Sequence, residues 1–173
     1  MTIQNCDARD GIRQLPDESV DLILTDPPYV KEQWESAYTL LAEEGSRVLK
    51  KSGYLITYCG QFYLNKIMRI MDDYLSYYWV ISQINTGAKC LVHSRNIIAS
   101  FKPVLVYQKP PFLTKNRVTL DIIKNGKRSK TFHAWQQDIH EALHLMRIFS
   151  NPGDMVLDPF VGSGTVAVAA KAL

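Results

Sequence analysis

The sequence is poor in cysteine: Cys6, Cys59 and Cys90 are the only three among 173 residues. They are scattered and form no CxxC pair, so neither a zinc ribbon nor a disulfide framework fits, and a reducing cytoplasm is the expected setting. No apolar run approaches the roughly 20 residues of a membrane-spanning helix. The polar opening Thr2-Ile3-Gln4-Asn5 has no signal-peptide pattern, and no membrane partner is expected. Nine glycines and eight prolines are too few for collagen-like or low-complexity material. The phosphate loop GxxxxGK[ST] is missing, and Gly162-x-Gly164 does not extend into GxGxxG. There is no internal repeat. His140 and His144 stand four apart in a helical stretch with no third ligand nearby, so they read as an exposed helix face and no metal is expected.

What remains is the composition of a globule, 46% hydrophobic and 21% charged. At about 150 residues per domain it forms one domain over residues 1–173, large enough for its own core. The net charge of +3 says little, but its distribution says more. Residues 115–130 carry Lys115, Arg117, Lys124, Lys127, Arg128 and Lys130 against the single Asp121. A solvated loop would look like this, and so would a segment that meets a phosphate backbone.

Strand and helix patterns alternate along the chain. Residues 2–6 fit a short strand and 10–15 a helical turn. Residues 20–25 (VDLILT) fit a buried parallel strand, 32–50 a helix, and Ser52-Gly53 a turn into a strand over 54–59. A helix over 65–75 and a strand over 77–83 precede an irregular loop at 85–99, then a strand over 103–108. Asn125-Gly126, between 120–123 and 131–132, signals a hairpin that would carry the basic residues. A helix over 138–149, a short strand over 155–157 and a helix from 166 to 173 complete an α/β layered sheet.

Two predicted strand ends carry chemistry, because ligands of such sheets bind beyond the carboxyl ends of the strands. The first is Asp26-Pro27-Pro28-Tyr29. Consecutive prolines fix the backbone and remove two amide donors, so the Asp carboxylate and a proline carbonyl can converge as acceptors beside an aromatic face. That set suits an amino group on a planar ring. The second is Asp158-Pro159-Phe160-Val161-Gly162-Ser163-Gly164-Thr165, whose glycines let a ligand approach the backbone.

Together, in this order, the motifs resemble the S-adenosylmethionine-dependent amino-methyltransferases of DNA, which act on adenine N6 or cytosine N4. The arrangement looks like the family's permuted class, with the catalytic motif ahead of the cofactor motif. Cys6-Asp7-Ala8 resembles the segment whose Asp approaches the cofactor adenine. His133-Ala134-Trp135-Gln136-Gln137-Asp138 and Pro152-Gly153-Asp154 resemble the family's approach to its glycine loop, and Lys102-Pro103 before a strand is also similar.

The resemblance implies a Rossmann-like methyltransferase fold, a mixed and mostly parallel sheet with helices on both faces. It implies Asp26, Pro27, Pro28 and Tyr29 as the catalytic set. For S-adenosylmethionine it implies Asp7, His133, Trp135, Gln136, Asp158, Pro159, Phe160, Gly162, Ser163, Gly164 and Thr165. The reaction would be direct in-line transfer to the N6 amine of a flipped adenine, Asp26 leaning toward adenine where Ser would lean toward cytosine N4. Cytosine C5 chemistry would need a nucleophilic cysteine, typically after proline, and no Pro-Cys occurs. DNA is the expected partner, with RNA as an alternative. Its contacts are expected at a loop near 85–100 and a ribbon near 113–132, through Lys89, Arg95, Lys124, Lys127, Arg128 and Lys130.

Family members continue past the glycine-loop helix into a strand whose acidic end holds the cofactor ribose. The sequence offers no residue for that role. The expectation is therefore a C-terminal truncation lacking that strand, or a homodimer mate or second chain that completes the pocket, or cofactor binding that is weak or lost. A catalytically idle nucleic-acid-binding module of the same fold is the alternative from another class, and a Rossmann oxidoreductase a distant third.

Overall fold

The structure is a computed structural model that describes residues 2–84, 90–114, 117–124 and 139–173. A six-stranded sheet has the order β7-β3-β6-β2-β1-β8. Its strands are β1 (Val20–Thr25), β2 (Leu49–Tyr58), β3 (Ser76–Ile84), β6 (Phe101–Gln108), β7 (Ile122–Lys124) and β8 (Val156–Leu157). β1 runs parallel to β2 and β8, and β3 parallel to β7, while β6 lies antiparallel between β2 and β3. Five strands therefore point one way and β6 points back.

The helices are α1 (Ala8–Arg13), α2 (Trp34–Val48), α3 (Leu64–Asp72), α4 (Ile139–Phe149) and α5 (Thr165–Lys171). They cover both faces of the sheet. Ile23, Leu55, Leu105 and Tyr107 pack with α1, α2 and α3 in one apolar cluster, whereas Leu24, Ile56, Val104 and Val106 pack with α4 and α5 in the other. Burial on both faces is why β1 and β6 are continuous apolar runs instead of alternating ones. None of the described helices is long and apolar enough to cross a membrane.

The expected elements appear with four differences. Residues 2–6 form no strand. Ser52-Gly53 is not a turn ahead of β2 but an irregularity inside it: Ser52 takes φ +62°, and the β1–β2 register jumps from Val20↔Leu49 to Leu22↔Tyr54. Within the expected loop at 85–99, β4 (Cys90–Val92) and β5 (Ile97–Ala99) pair as a small antiparallel ribbon, turned by Asn96 in the left-handed region at φ +51°. β7, expected as a hairpin arm, instead extends the main sheet parallel to β3; Asn125-Gly126 and the other arm lie outside the described residues.

Candidate active site

Because five strands share one direction, their carboxyl ends meet at one edge. β6 begins at that edge. There β1 stops at Thr25, and Pro27 and Pro28, which have no N–H for a ladder, lead the chain off the sheet. Pro27 is buried and Tyr29 exposed.

Asp26 meets a residue 76 positions along the chain. Lys102 Nζ donates to its Oδ1 at 2.9 Å and its Oδ2 at 2.8 Å. The antiparallel course of β6 explains the reach. Tyr58 pairs with Val104, and the Cys59 N–H donates to the Pro103 carbonyl at 3.0 Å, so Lys102 emerges just past the end of β2. Its ammonium lies 4.7 Å from the Tyr29 ring centroid and 4.8 Å from that of Tyr58. Sequence reading noticed Lys102 only as part of Lys102-Pro103; the pairing depends on strand direction.

The second carboxylate ends the neighbouring strand. The Thr25 hydroxyl donates to Asp158 Oδ1 at 2.6 Å and the Phe160 N–H donates to the same oxygen at 3.1 Å. Burial pushes this carboxyl up to about 6; the two hydrogen bonds pull it down, and the nearby Asp26 charge adds a smaller upward push. Cys59, fully buried between β2 and β6, has its thiol pushed up to about 12 by burial, so it is no thiolate nucleophile at neutral pH.

The loop from Asp158 to Thr165 turns through two left-handed glycines, Gly162 at φ +52° and Gly164 at φ +78°. A Cβ on Gly164 would meet nothing within 4 Å, so the backbone there is open to a ligand. The turn is closed by the Gly164 N–H donating to the Val161 carbonyl at 2.8 Å, and the Ser163 and Thr165 hydroxyls pair at 3.1 Å. Open backbone, the half-buried carboxyl of Asp158 and the neighbouring Phe160 ring fit a cofactor with a cationic centre.

Asp7 acts as N-cap of α1, its carboxylate accepting from the Arg9 N–H at 2.8 Å, and it is exposed. Lys124 ends β7 at the same sheet edge as Asp26, since its partner Ile84 ends β3. Arg95, in the β4–β5 ribbon, holds its guanidinium 5.4 Å from the Phe62 ring, just beyond the end of β2. His133, Trp135, Gln136, Lys89, Lys127, Arg128 and Lys130 lie outside the described residues.

Residues His140-Glu141-Ala142-Leu143-His144 also spell HExxH, the spacing of a two-histidine metal site. Both histidines are exposed, but Glu141 is buried and accepts from Gln83 of β3. Its carboxylate thus binds α4 to the sheet. Among the described residues no group of three His, Cys, Asp or Glu is placed to hold a metal ion.

A family model described as DNA methylase, for N6 and N4 enzymes, matches residues 124–173. The type II methyltransferase M.HpaI of Haemophilus parainfluenzae is 28% identical across 94% of this chain and 64% of its own length. The chain thus spans just under two thirds of that relative. The putative methylase YubD of Escherichia coli K12 is 26% identical across 90% of this chain and 73% of its own. Among solved structures, the M1.HpyAVI–SAM complex superposes with a TM-score of 0.77 at 20% identity, covering 99% of this chain and 87% of that one. The PvuII cytosine-N4-specific DNA methyltransferase gives 0.79 at 17%, covering 96% and 76%. The mixed sheet with helices on both faces is therefore the Rossmann-like methyltransferase fold. In its two strand-end motifs, in this order, and in its C-terminal family match, the chain is similar to the N6/N4 amino-methyltransferases among the DNA methylases.

Proposed function

We propose that the chain methylates the exocyclic N6 amine of adenine in DNA, using S-adenosylmethionine as methyl donor. The observation that carries this reading is the adjacency of the two motifs: Asp26 and Asp158 end neighbouring parallel strands, and the Thr25 hydroxyl bridges them at 2.6 Å. An amine held by the first motif and a cofactor held by the second would lie side by side.

The cofactor supplies an electrophilic methyl group on a sulfonium. The chain does the positioning. An aromatic amine is a poor nucleophile because its lone pair is delocalised into the ring. Asp26 Oδ and the Pro27 carbonyl accept its N–H bonds, draw the nitrogen toward tetrahedral geometry and aim its lone pair at the methyl carbon. Transfer would exchange the S–C bond for an N–C bond, leaving a neutral thioether, and the methylated amine would then give up a proton to solvent. Acceleration comes from orientation and from the Asp26 charge facing the positive charge that grows on nitrogen. No covalent enzyme intermediate is required. The base has to leave the duplex, and Tyr29 offers the exposed face on which it stacks.

The Asp158–Thr165 loop is the proposed cradle for the cofactor, with Asp7, His133, Trp135 and Gln136 as further contacts. Lys124 and Arg95 are the described candidates for phosphates or base edges near the site, joined by Lys89, Lys127, Arg128 and Lys130. Asp at the motif's first position favours adenine. Cytosine N4 is the second reading, favoured by the likeness in fold to the PvuII enzyme. Labelled methyl transfer to DNA, with nucleoside analysis of the product, decides between them: N6-methyl-2′-deoxyadenosine is expected, N4-methyl-2′-deoxycytidine would install the second reading, and equal transfer by Asp26→Ala would overturn both.

A further inference from the structure

The Lys102 ammonium stands where the proposed target amine would have to be. It donates to both carboxylate oxygens of Asp26 and lies near the Tyr29 ring, the same acceptor and the same stacking face that the flipped base needs. The Tyr58 ring, 4.8 Å away, is a second aromatic neighbour of the cation. Lys102 and Asp26 are both mostly shielded, with side chains 25% and 27% exposed, so water competes weakly for the pair.

The two occupants are not compatible with transfer. Methylation places positive charge on the amine nitrogen, and Asp26 helps by presenting an opposing charge. An ammonium within hydrogen-bond distance of that carboxylate cancels its field and repels the growing charge. The cation has to leave, and a lysine can do so by rotating its four-carbon stem without moving β6.

We infer that Lys102 is a resting occupant of the amine subsite, an internal competitor that the incoming base displaces. It holds Asp26 between turnovers and admits a base that replaces its hydrogen bonds with those of an exocyclic amine. A base without that amine offers Asp26 no hydrogen bond and leaves the ammonium in place, so only the amine-bearing base bears the cost of displacing it, and Lys102 sets how strongly the amine is preferred. This inference rests on the amino-methyltransferase reading, but it is tested without turnover.

The test is binding of fluorescein-labelled thymine strands with one central base, followed by anisotropy. Adenine is compared with unsubstituted purine, and cytosine with 2-pyrimidinone; each pair differs only by the amine. Wild type, Lys102→Met, Lys102→Gln and the double variant Lys102→Met/Asp26→Ala are measured. With the competitor removed, preference for the amine-bearing base is expected to rise at least three-fold over wild type in one of the pairs, in both single variants, and to disappear in the double variant. An unchanged or reduced preference overturns the inference, and so does a gain that survives loss of Asp26. Loss of charge alone weakens both members of a pair equally and leaves the preference unmoved. Methyl transfer by the wild type, measured separately, tests the amino-methyltransferase reading: its absence alongside the expected preference would remove the reaction and keep the competitor.

Discussion

The Thr25 hydroxyl donates to Oδ1 of Asp158 at 2.6 Å, joining residues 133 apart in sequence. β1 and β8 pair through only two residues each, Leu22↔Val156 and Ile23↔Leu157. So short a ladder leaves the strand ends free to splay, and the Thr25–Asp158 bond closes them where the two motifs begin. Thr25→Val keeps the shape and removes the donor. It is expected to destabilise the fold by about 1–2 kcal/mol, the cost of a buried hydrogen bond whose acceptor stays behind. Chemical denaturation measures this, and methyl transfer should fall with it as the two motifs lose their relative placement.

Asp158 gives stability a pH dependence of definite sign. Its folded value, about 6, lies above the ordinary carboxylate value, so the folded protein binds the proton more tightly than the unfolded chain. The destabilisation is therefore fully present above pH ~6 and is relieved as pH falls toward ~4. Asp158→Asn keeps an acceptor for Thr25 without the charge. It is expected to be more stable than wild type at pH 8 by at most about 3 kcal/mol, with the difference closing on acidification. Urea titrations of both proteins between pH 4 and 8 check it; a difference that widens on acidification would reverse the sign.

Gly53 sits where no side chain fits. A Cβ there would lie 2.9 Å from the Lys50 carbonyl oxygen and 3.0 Å from that of Asp21, both backbone atoms that cannot swing aside. The same bulge is tied to the end of β6: the Lys109 N–H donates to the Gly53 carbonyl at 3.0 Å and the Ser52 N–H to the Lys109 carbonyl at 2.9 Å. Gly53→Ala is expected to cost about 1–3 kcal/mol, as overpacking does. A drop in melting temperature with little change in the residual transfer of the folded fraction is the expected pattern, since the bulge is at the opposite end of β2 from Tyr58.

These three sites show which parts of the fold were legible in the sequence. VDLILT reads as a buried strand because both faces of β1 are covered, and the α2 pattern reads as a helix on a sheet for the same reason. The two motifs are readable because each is local, a strand end and the turn after it. The Lys102–Asp26 pair was not readable, because it exists only through the reversal of β6 between β2 and β3. The Ser52-Gly53 bulge looked like a turn for a related reason: a left-handed residue beside glycine is the chemistry of turns, and only the β1 register reveals that the strand continues. The β4–β5 ribbon is three residues per arm, too short for periodicity to mark.

Asp26 itself gives the next expectation. On the proposed reading, Asp26→Ala removes an acceptor whose charge would act mainly in the transition state, so turnover is expected to fall by about 100-fold or more while cofactor binding changes little. Calorimetry with S-adenosylmethionine and labelled transfer to DNA separate the two quantities. A loss of cofactor affinity equal to the loss of turnover would move Asp26 from the amine to the cofactor.

The basic segment makes the last prediction, drawn from sequence because Lys127, Arg128 and Lys130 lie outside the described residues. Residues 115–130 hold six basic side chains and one acidic one, on a chain whose net charge is only +3. If these cations meet phosphates, each releases condensed counterions on binding, and the logarithm of affinity falls with the logarithm of salt by about 0.9 per phosphate neutralised. Replacing Lys127, Arg128 and Lys130 together by alanine is expected to lower that slope by about 2–3 and to weaken binding most at low salt. Base preference should be untouched, because phosphate contacts position a protein without reading sequence. Anisotropy titrations on duplex DNA from 50 to 300 mM salt measure the slope. Parallel lines for wild type and the triple variant would place the phosphates elsewhere, with Lys124 at the end of β7 the first cation to substitute next.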